Sequence, residues 1–265
     1  MQDRHSNRDQ YFKEQEYTTE KYVIPFINDI LRINNNISVL EIGCGEGGNL
    51  VPFMHAGCNP VVGIDMSVPK IEAAKVYFSK FEESNVHVRF LCADIYELTP
   101  EKLGTFDVIF LRDVIEHIHD QDKFMGFMHT FMKPESIAFF GFPNWYMPFG
   151  GHQQICKSKI LSKTPYFHIL PNFIYKRILK LFGESEATIE SLLEIKSTGI
   201  TIERFEKILR KNNYTIVKKA FFFINPNYEV KFGLRPRLSS GLISSVPWIR
   251  NFFITANYYI VSHHK

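Results

Sequence analysis

The fold of this chain is decided by residues 39–48, which read Val39-Leu40-Glu41-Ile42-Gly43-Cys44-Gly45-Glu46-Gly47-Gly48. The first four residues are mostly apolar and partly β-branched, which predicts a buried strand. The glycines that follow allow a sharp turn and let a ligand approach backbone N–H groups. A short helix predicted from Asn49 to His55 adds partial positive charge at its N-terminus. The pattern therefore predicts a nucleotide-type cofactor site.

A second predicted strand, Val61 to Ile64, ends in Asp65, whose carboxylate is well placed to accept hydrogen bonds from a ribose diol. The glycine spacing also matches the dinucleotide fingerprint of NAD-binding proteins. Glu41 argues against that cofactor. A carboxylate inside an apolar strand is costly unless it binds something.

The run Glu-x-Gly-x-Gly-x-Gly, followed by Asp65, resembles motif I and its acidic partner in class I S-adenosylmethionine (SAM) methyltransferases. The resemblance implies that the glycine loop passes the methionine part of SAM and that Asp65 binds the ribose. It implies that Asp94 accepts from the adenine amine and that Ile95 offers its backbone N–H. S-adenosylhomocysteine would be the product. The implied cofactor-binding residues are Glu41, Gly43, Cys44, Gly45, Gly47, Asp65, Met66, Asp94, Ile95 and Arg112.

The stretch Phe106 to Ile118 also resembles this family, and ubiquinone-pathway O-methyltransferases in particular. In some of them an acidic residue, followed three later by Glu-His, has been linked to a divalent cation. The matching positions are Asp113, Glu116 and His117, with Asp113 in place of the usual longer Glu. The alternative is that Glu116 and His117 cap and brace the following helix. We favour that alternative and predict no metal.

Strand and helix patterns alternate five times between residues 39 and 142, which predicts a doubly wound, mostly parallel α/β sheet. The family resemblance implies a Rossmann-like sheet of seven strands, the last antiparallel and placed between the fifth and sixth. Tyr214 to Ile224 is the expected sixth strand and Phe252 to Ser262 the expected seventh. We expect a single domain over residues 1–265, with insertions after strands five and six at about 143–200 and 225–250.

The loop from Pro143 to Gln154 leaves the fifth strand beside the expected methyl group. It is aromatic and rich in glycine, and its predicted acceptor-binding residues are Trp145, Tyr146, His152 and Gln153. His152 is the candidate general base, because an imidazole titrates near neutrality and could deprotonate a hydroxyl. His117 is its rival. The loop lacks the Asn/Asp-Pro-Pro-Tyr/Phe motif expected of a DNA adenine methyltransferase.

The segment from Tyr166 to Phe182 has a helical period with basic residues at Lys176, Arg177 and Lys180. It could be a lid over a hydrophobic substrate, a peripheral membrane-surface helix or a dimer contact. A buried lid helix is the commonest outcome for such a segment.

The composition bounds the remaining possibilities. A net charge of +3 is too mild to indicate nucleic acid as a partner. The cysteines show no C-x-x-C spacing, so reduced thiols in a cytoplasm are expected. The polar N-terminus predicts no signal peptide, and the apolar runs are too short to predict a transmembrane helix.

The motifs together predict a SAM-dependent methyltransferase that acts on a small or lipid-like acceptor, at a hydroxyl oxygen. A non-catalytic SAM- or nucleotide-binding protein of the same fold is the first alternative. An NAD-dependent dehydrogenase is the second. The combination of Glu41, Gly43, Asp65 and Asp94 with an aromatic cap favours the enzyme.

Overall fold

The motif at residues 39–48 forms the first strand and the turn after it, near the middle of one large sheet. A computed structural model describes residues 8–81 and 86–263 of the chain. Within these residues the sheet has eight strands, in the order β3-β2-β1-β4-β5-β8-β6-β7. The strands are β1 (Val39–Ile42), β2 (Val61–Asp65), β3 (Val88–Cys92), β4 (Phe106–Arg112), β5 (Met132–Phe142), β6 (Tyr214–Ile224), β7 (Arg237–Leu238) and β8 (Ala256–His263).

The sheet confirms the doubly wound α/β fold and corrects the number of strands. Strands β1 to β5 pair in parallel, and β8 lies antiparallel between β5 and β6. The expected seven strands are wrong because β7, in the second insertion, adds an antiparallel edge to β6. Two residues flanked by proline and serine are too short to show an alternating pattern, so the sequence did not reveal β7.

Helices cover both faces of the sheet. They are α1 (Arg8–Thr18), α2 (Ile24–Asn28), α3 (Val51–His55), α4 (Val68–Phe78), α5 (Pro100–Leu103), α6 (Gln121–Met128), α7 (Asn172–Leu181), α8 (Glu186–Thr198), α9 (Ile202–Lys211), α10 (Asn227–Phe232) and α11 (Gly241–Ser245). A π-helical turn, Thr19–Val23, joins α1 to α2. Short 3-10 turns account for several of the remaining connections.

The core consists of two apolar layers, one on each side of the sheet. All four side chains of β1 are buried, as expected for a parallel strand with helices on both faces. Aromatic rings make up much of both layers. The rings of Phe110 and Phe139, on neighbouring strands, stack with their centroids 5.0 Å apart.

The first insertion has a small core of its own. Seven buried residues form it: Cys156, Leu161, Phe167, Tyr175, Leu179, Ile189 and Leu192. Tyr175 and Leu179 come from the inner face of α7, and Ile189 and Leu192 come from α8. The helix predicted between residues 166 and 182 therefore packs inward along one face.

No helix in the described part of the chain has the length and apolar character needed to cross a bilayer.

Candidate functional site

The candidate site lies at the carboxyl edge of the parallel strands, where open α/β sheets bind ligands. Strands β1, β2 and β4 lie side by side, so their ends bring the glycine loop, Asp65 and Arg112 together. The end of β5 adds the aromatic loop that begins at Pro143. The topology thus gathers most of the predicted site residues at one edge.

The Asp65 carboxylate anchors the glycine loop by accepting a hydrogen bond from the backbone of that loop. One oxygen of its carboxylate, Oδ2, accepts from the Gly45 N–H at 3.0 Å, and the other, Oδ1, accepts from the Ser67 N–H at 2.9 Å. Gly45 has a φ of +56°, and a Cβ added there would meet no atom of the described residues within 4 Å. A Cβ at Gly43 would instead lie 2.5 Å from Val114. Of the glycines at positions 43, 45, 47 and 48, Gly45 is thus the one whose Cβ position faces open space.

Glu41 is completely buried at the centre of the site. Its Oε1 accepts from the Asn49 side chain at 2.7 Å, while its Oε2 has no hydrogen-bond partner among the described residues. Burial raises the pKa of Glu41 to about 8, although Asn49 and the charge of Arg112 lower it. A buried acceptor without a donor is costly. The orphaned oxygen therefore fits a ligand that brings a donor or a positive charge.

Arg112 connects this site to the N-terminal helices. Its Nη1 donates to Asn49 Oδ1 at 2.9 Å, to Thr19 Oγ1 at 3.3 Å and to the Gln15 carbonyl at 3.4 Å. Thr19 also donates to Asn49 Oδ1 at 2.8 Å. Sequence reasoning missed these three partners of Arg112. A polar Asn49 directly after the glycines was the available signal.

Helix α1 lies across the glycine loop and is also fastened to α10. A Cβ at Gly48 would lie 2.5 Å from the carbonyl oxygen of Phe12 in α1. At the C-terminal end of α1, Thr18 Oγ1 donates to Asn227 at 3.1 Å, and Tyr17 donates to Glu229 at 3.1 Å. Lys21 and Tyr22, in the π-helical turn, also bind Glu229. Helix α1 and the π-helical turn therefore cover the glycine loop and connect it to the second insertion.

Other predicted cofactor residues lie around the same edge in differing environments. The Cys44 side chain is buried, and burial raises the pKa of its thiol. Met66 is 73% exposed. Asp94 caps a 3-10 turn by accepting from the Tyr96 N–H at 3.0 Å, and Ile95, which starts that turn, is buried. A Cβ at Gly47 would lie 2.9 Å from the Phe90 ring, so close packing is one reason why this position holds glycine.

A second group of polar side chains lies on the acceptor side. Glu116, His117 and His152 each place one potential ligand atom within 4.8 Å of the others, and the two imidazole rings meet edge to face at 5.1 Å. Both oxygens of buried Glu116 lack a hydrogen-bond partner in the described chain. Burial, with a smaller effect from the charge of Asp113, raises the pKa of Glu116 well above its ordinary value. Burial lowers the pKa of His117.

The remaining acceptor-side residues are placed in different ways. Trp145 and Glu116 line a small recess at the C-terminal end of α8. The ring of Tyr146 packs on Phe252, with 5.2 Å between centroids. Gln153 is completely buried, and its amide nitrogen donates to the carbonyls of Pro148 and Thr164 at 3.1 Å each. The amide nitrogen of Gln153 thus holds the loop together.

Comparison with known proteins identifies the family. The family model described as "Methyltransferase domain" matches residues 14–163, which include the glycine loop, Asp65 and the His152 cluster. A ubiquinone biosynthesis O-methyltransferase of Rickettsia typhi is 32% identical over 233 residues, which cover 88% of this chain and 85% of that protein. The chain belongs to the methyltransferase domain family. The family expected from the glycine motif is thereby confirmed.

Other relatives match over a shorter stretch. The ubiquinone biosynthesis O-methyltransferase of Rhodopseudomonas palustris strain BisB5 is 35% identical over 103 residues, or 39% of this chain. That alignment spans 38% of the relative's own length. The identity of 35% is therefore measured over about two fifths of each chain.

Solved structures agree with the fold. A magnesium protoporphyrin IX methyltransferase of Synechocystis superposes with a TM-score of 0.57 at 15% identity, covering 97% of this chain and 88% of that one. A SAM-dependent methyltransferase of Clostridium acetobutylicum gives 0.55 at 13% identity, covering 98% and 94%. At this identity the two structures support the Rossmann-like architecture.

Proposed function

We propose that the protein is a SAM-dependent methyltransferase that methylates a hydroxyl oxygen of a small or lipid-like acceptor. The observation that carries the proposal is the buried Glu41, whose unpartnered oxygen lies in the site that the glycine loop and Asp65 form. SAM carries an amine, a ribose diol and a positive sulfonium. The site offers a hydrogen-bond acceptor or a carboxylate for each of these three groups.

The residues present fit the cofactor in defined roles. Glu41 would accept from its amino group and Asp65 from its ribose. Gly45 would leave room for it above the loop. Asp94 and Ile95 would contact its adenine, as the family resemblance implies. Arg112 would act through Asn49, which orients Glu41 by the 2.7 Å hydrogen bond.

Bound SAM supplies a methyl group already activated by its sulfonium. The protein's main contribution is then to align the acceptor oxygen with that methyl group. A general base helps because a hydroxyl must lose its proton as the new bond forms. We propose His152 for this role and His117 as the residue that contacts and orients it.

A divalent cation held by Glu116, His117 and His152 is a second candidate role for the same cluster. The two orphaned oxygens of Glu116 favour it, because a buried carboxylate without a donor suits a cation. Asp113 would contribute charge from nearby. A cation there would orient the acceptor oxygen and favour its ionised form. Chelation separates the two roles: it should leave turnover unchanged if His152 is the base and abolish turnover if the cluster holds a cation.

The acceptor proposed here follows from the relatives and the insertions. The Rickettsia typhi relative is a ubiquinone biosynthesis O-methyltransferase. An acceptor of similar chemistry would need an apolar cover, and α7, which Tyr175 and Leu179 anchor on α8, is the proposed lid. Trp145 and Tyr146 would line the entrance.

The test is transfer of labelled methyl from SAM to phenolic acceptors with and without an isoprenoid chain, together with the release of S-adenosylhomocysteine. Turnover that requires Glu41 and Asp65 supports the proposal of a SAM-dependent methyltransferase. Tight SAM binding without turnover on any acceptor supports a non-catalytic binding protein. Binding of NADH without SAM binding supports the dehydrogenase.

A further inference from the structure

The second insertion carries an exposed apolar surface with a strong bias in charge. Residues 230–253 contain four cationic side chains and no carboxylate. Six large apolar side chains in this segment are 48–79% exposed: Phe232, Leu234, Leu238, Leu242, Trp248 and Ile249. Single exposed apolar residues are ordinary, but this many on one short segment indicate an interaction site.

The most prominent of these side chains is held on a rigid support. Trp248 is 63% exposed and has a φ of +66°, a conformation that bulky residues rarely adopt. Its backbone N–H donates to the Glu203 carboxylate at 2.9 Å. The same carboxylate accepts from Arg250 at 3.0 Å and from Asn251 at 2.6 Å. The indole is therefore presented to the outside by an ordered turn.

Three of the segment's four cations fall into two groups. Arg250 is committed to Glu203 and also lies 3.8 Å from Glu206, so it anchors the segment to α9. Arg235 and Arg237 are exposed, and no carboxylate of the described residues forms an ion pair with either. Arg237 lies on the edge strand β7 next to exposed Leu238. Exposed arginines thus alternate with exposed apolar residues along residues 234–238.

We propose that residues 230–253 dock the protein on the surface of an anionic phospholipid bilayer. Trp248 and its apolar neighbours would enter the interfacial region, where amphipathic aromatic rings are favoured. Arg235 and Arg237 would meet the lipid phosphates, and each basic residue near such a surface adds to binding. A bilayer fits better than a protein partner because the surface combines apolar area with charge of a single sign.

Docking by this surface would place the acceptor side of the site near the lipid. Phe252 packs on Tyr146 of the loop after β5, and the Tyr166 hydroxyl donates to the Phe252 carbonyl at 3.2 Å. An apolar acceptor could then pass from the bilayer to the loop without crossing water. The inference goes beyond the proposed function, and it can be tested by binding alone, without turnover.

Helix α7 is the competing candidate, since residues 166–182 are the membrane segment expected from the sequence. Its inner face is occupied by α8, and Lys180 is paired with Glu186 at 2.6 Å. Its outer face still exposes Phe173 and Leu181 beside basic side chains. A matched pair of double variants distinguishes the two segments.

The experiment is flotation of the full chain with vesicles of phosphatidylcholine alone or mixed three to one with phosphatidylglycerol. We expect binding only to the anionic vesicles, and weaker binding in high salt because the charges are screened. Arg235→Glu with Arg237→Glu should reduce binding by about tenfold or more. Lys176→Glu with Arg177→Glu should leave it nearly unchanged. Trp248 emission should shift to the blue with vesicles, and Trp248→Phe should abolish the shift.

Three results would overturn the proposal. The first is no flotation with anionic vesicles at low salt. The second is loss of binding in the α7 double variant but not in the Arg235 and Arg237 variant. The third is a stable dimer, measured by sedimentation without lipid, that Trp248→Glu dissociates. That last outcome would assign the surface to a second copy of the chain.

Discussion

Replacing Glu41 with glutamine should remove most of the pH dependence of SAM binding. In the cofactor-free protein, burial raises the pKa of Glu41 to about 8, so the side chain is mostly neutral at pH 6. An ammonium group on the cofactor would stabilise the ionised form and lower that pKa. Binding should therefore release a proton and strengthen as the pH rises towards 8.

The magnitude follows from the ionised fraction. With a pKa of about 8, that fraction is about 1% at pH 6 and about half at pH 8, an increase of about 50-fold. The cofactor amine loses its own proton near pH 7.7–8.0, the ordinary range of an α-amino group, which reduces the net gain in affinity to about 20-fold. Below pH 6 the affinity should keep falling by about tenfold per pH unit.

Calorimetric titration of SAM into the wild type and into Glu41→Gln, from pH 6 to 8.5, measures both curves. The variant should bind weakly and lack the rise between pH 6 and 8. A raised carboxyl pKa also means that the native state holds an extra proton, so its stability falls as the pH rises towards 8. Glu41→Gln should therefore be the more stable protein at pH 8 without cofactor. A rise in affinity that survives in the folded variant would refute the role given to Glu41.

Four further predictions address the loop, the ribose, the base and the lid. Gly45→Ala should fold, at a cost of about 1–2 kcal/mol for its left-handed backbone, but lose SAM affinity, whereas Gly183→Ala should bear a similar cost and keep affinity in the same titration. Asp65→Ala should weaken SAM binding by about 1–3 kcal/mol, and unchanged affinity would remove the ribose assignment. His152→Ala should lower turnover by about 10²–10⁴-fold with SAM affinity intact; if chelation stops the wild type equally, the cation role is correct instead. Leu179→Ala should destabilise the insertion by about 2–5 kcal/mol and reduce turnover more than SAM affinity, measured by thermal unfolding and methyl transfer.

The sheet and the glycine loop were predictable because their signals are local. Apolar β-branched runs, alternating helices and an acidic residue at a strand end each lie within a few residues of one another. The position of β8 between β5 and β6 came from the family resemblance, since antiparallel insertion leaves no mark in one sequence. The edge strand β7 has only two residues, which is too short to show an alternating pattern in the sequence.

The missed parts of the site depend on contacts between distant residues. Thr19 and Asn49 are 30 positions apart and meet at 2.8 Å, while Gln15 and Arg112 are 97 positions apart. Such pairs are created by the path of α1 over the sheet edge, which periodicity does not specify. Gln153 shows the converse. Its position in an aromatic loop predicted acceptor binding, whereas the structure commits its amide nitrogen to backbone carbonyls.

The attachments of α1 imply that cofactor exchange is coupled to the second insertion. The middle of the helix, at Phe12, covers Gly48, and its C-terminal end is tied through Thr18 and Tyr17 to α10. Moving α1 away from the glycine loop would strain or break these ties. A cofactor held under α1 and a partner bound to α10 would therefore strengthen each other's binding by the same free energy.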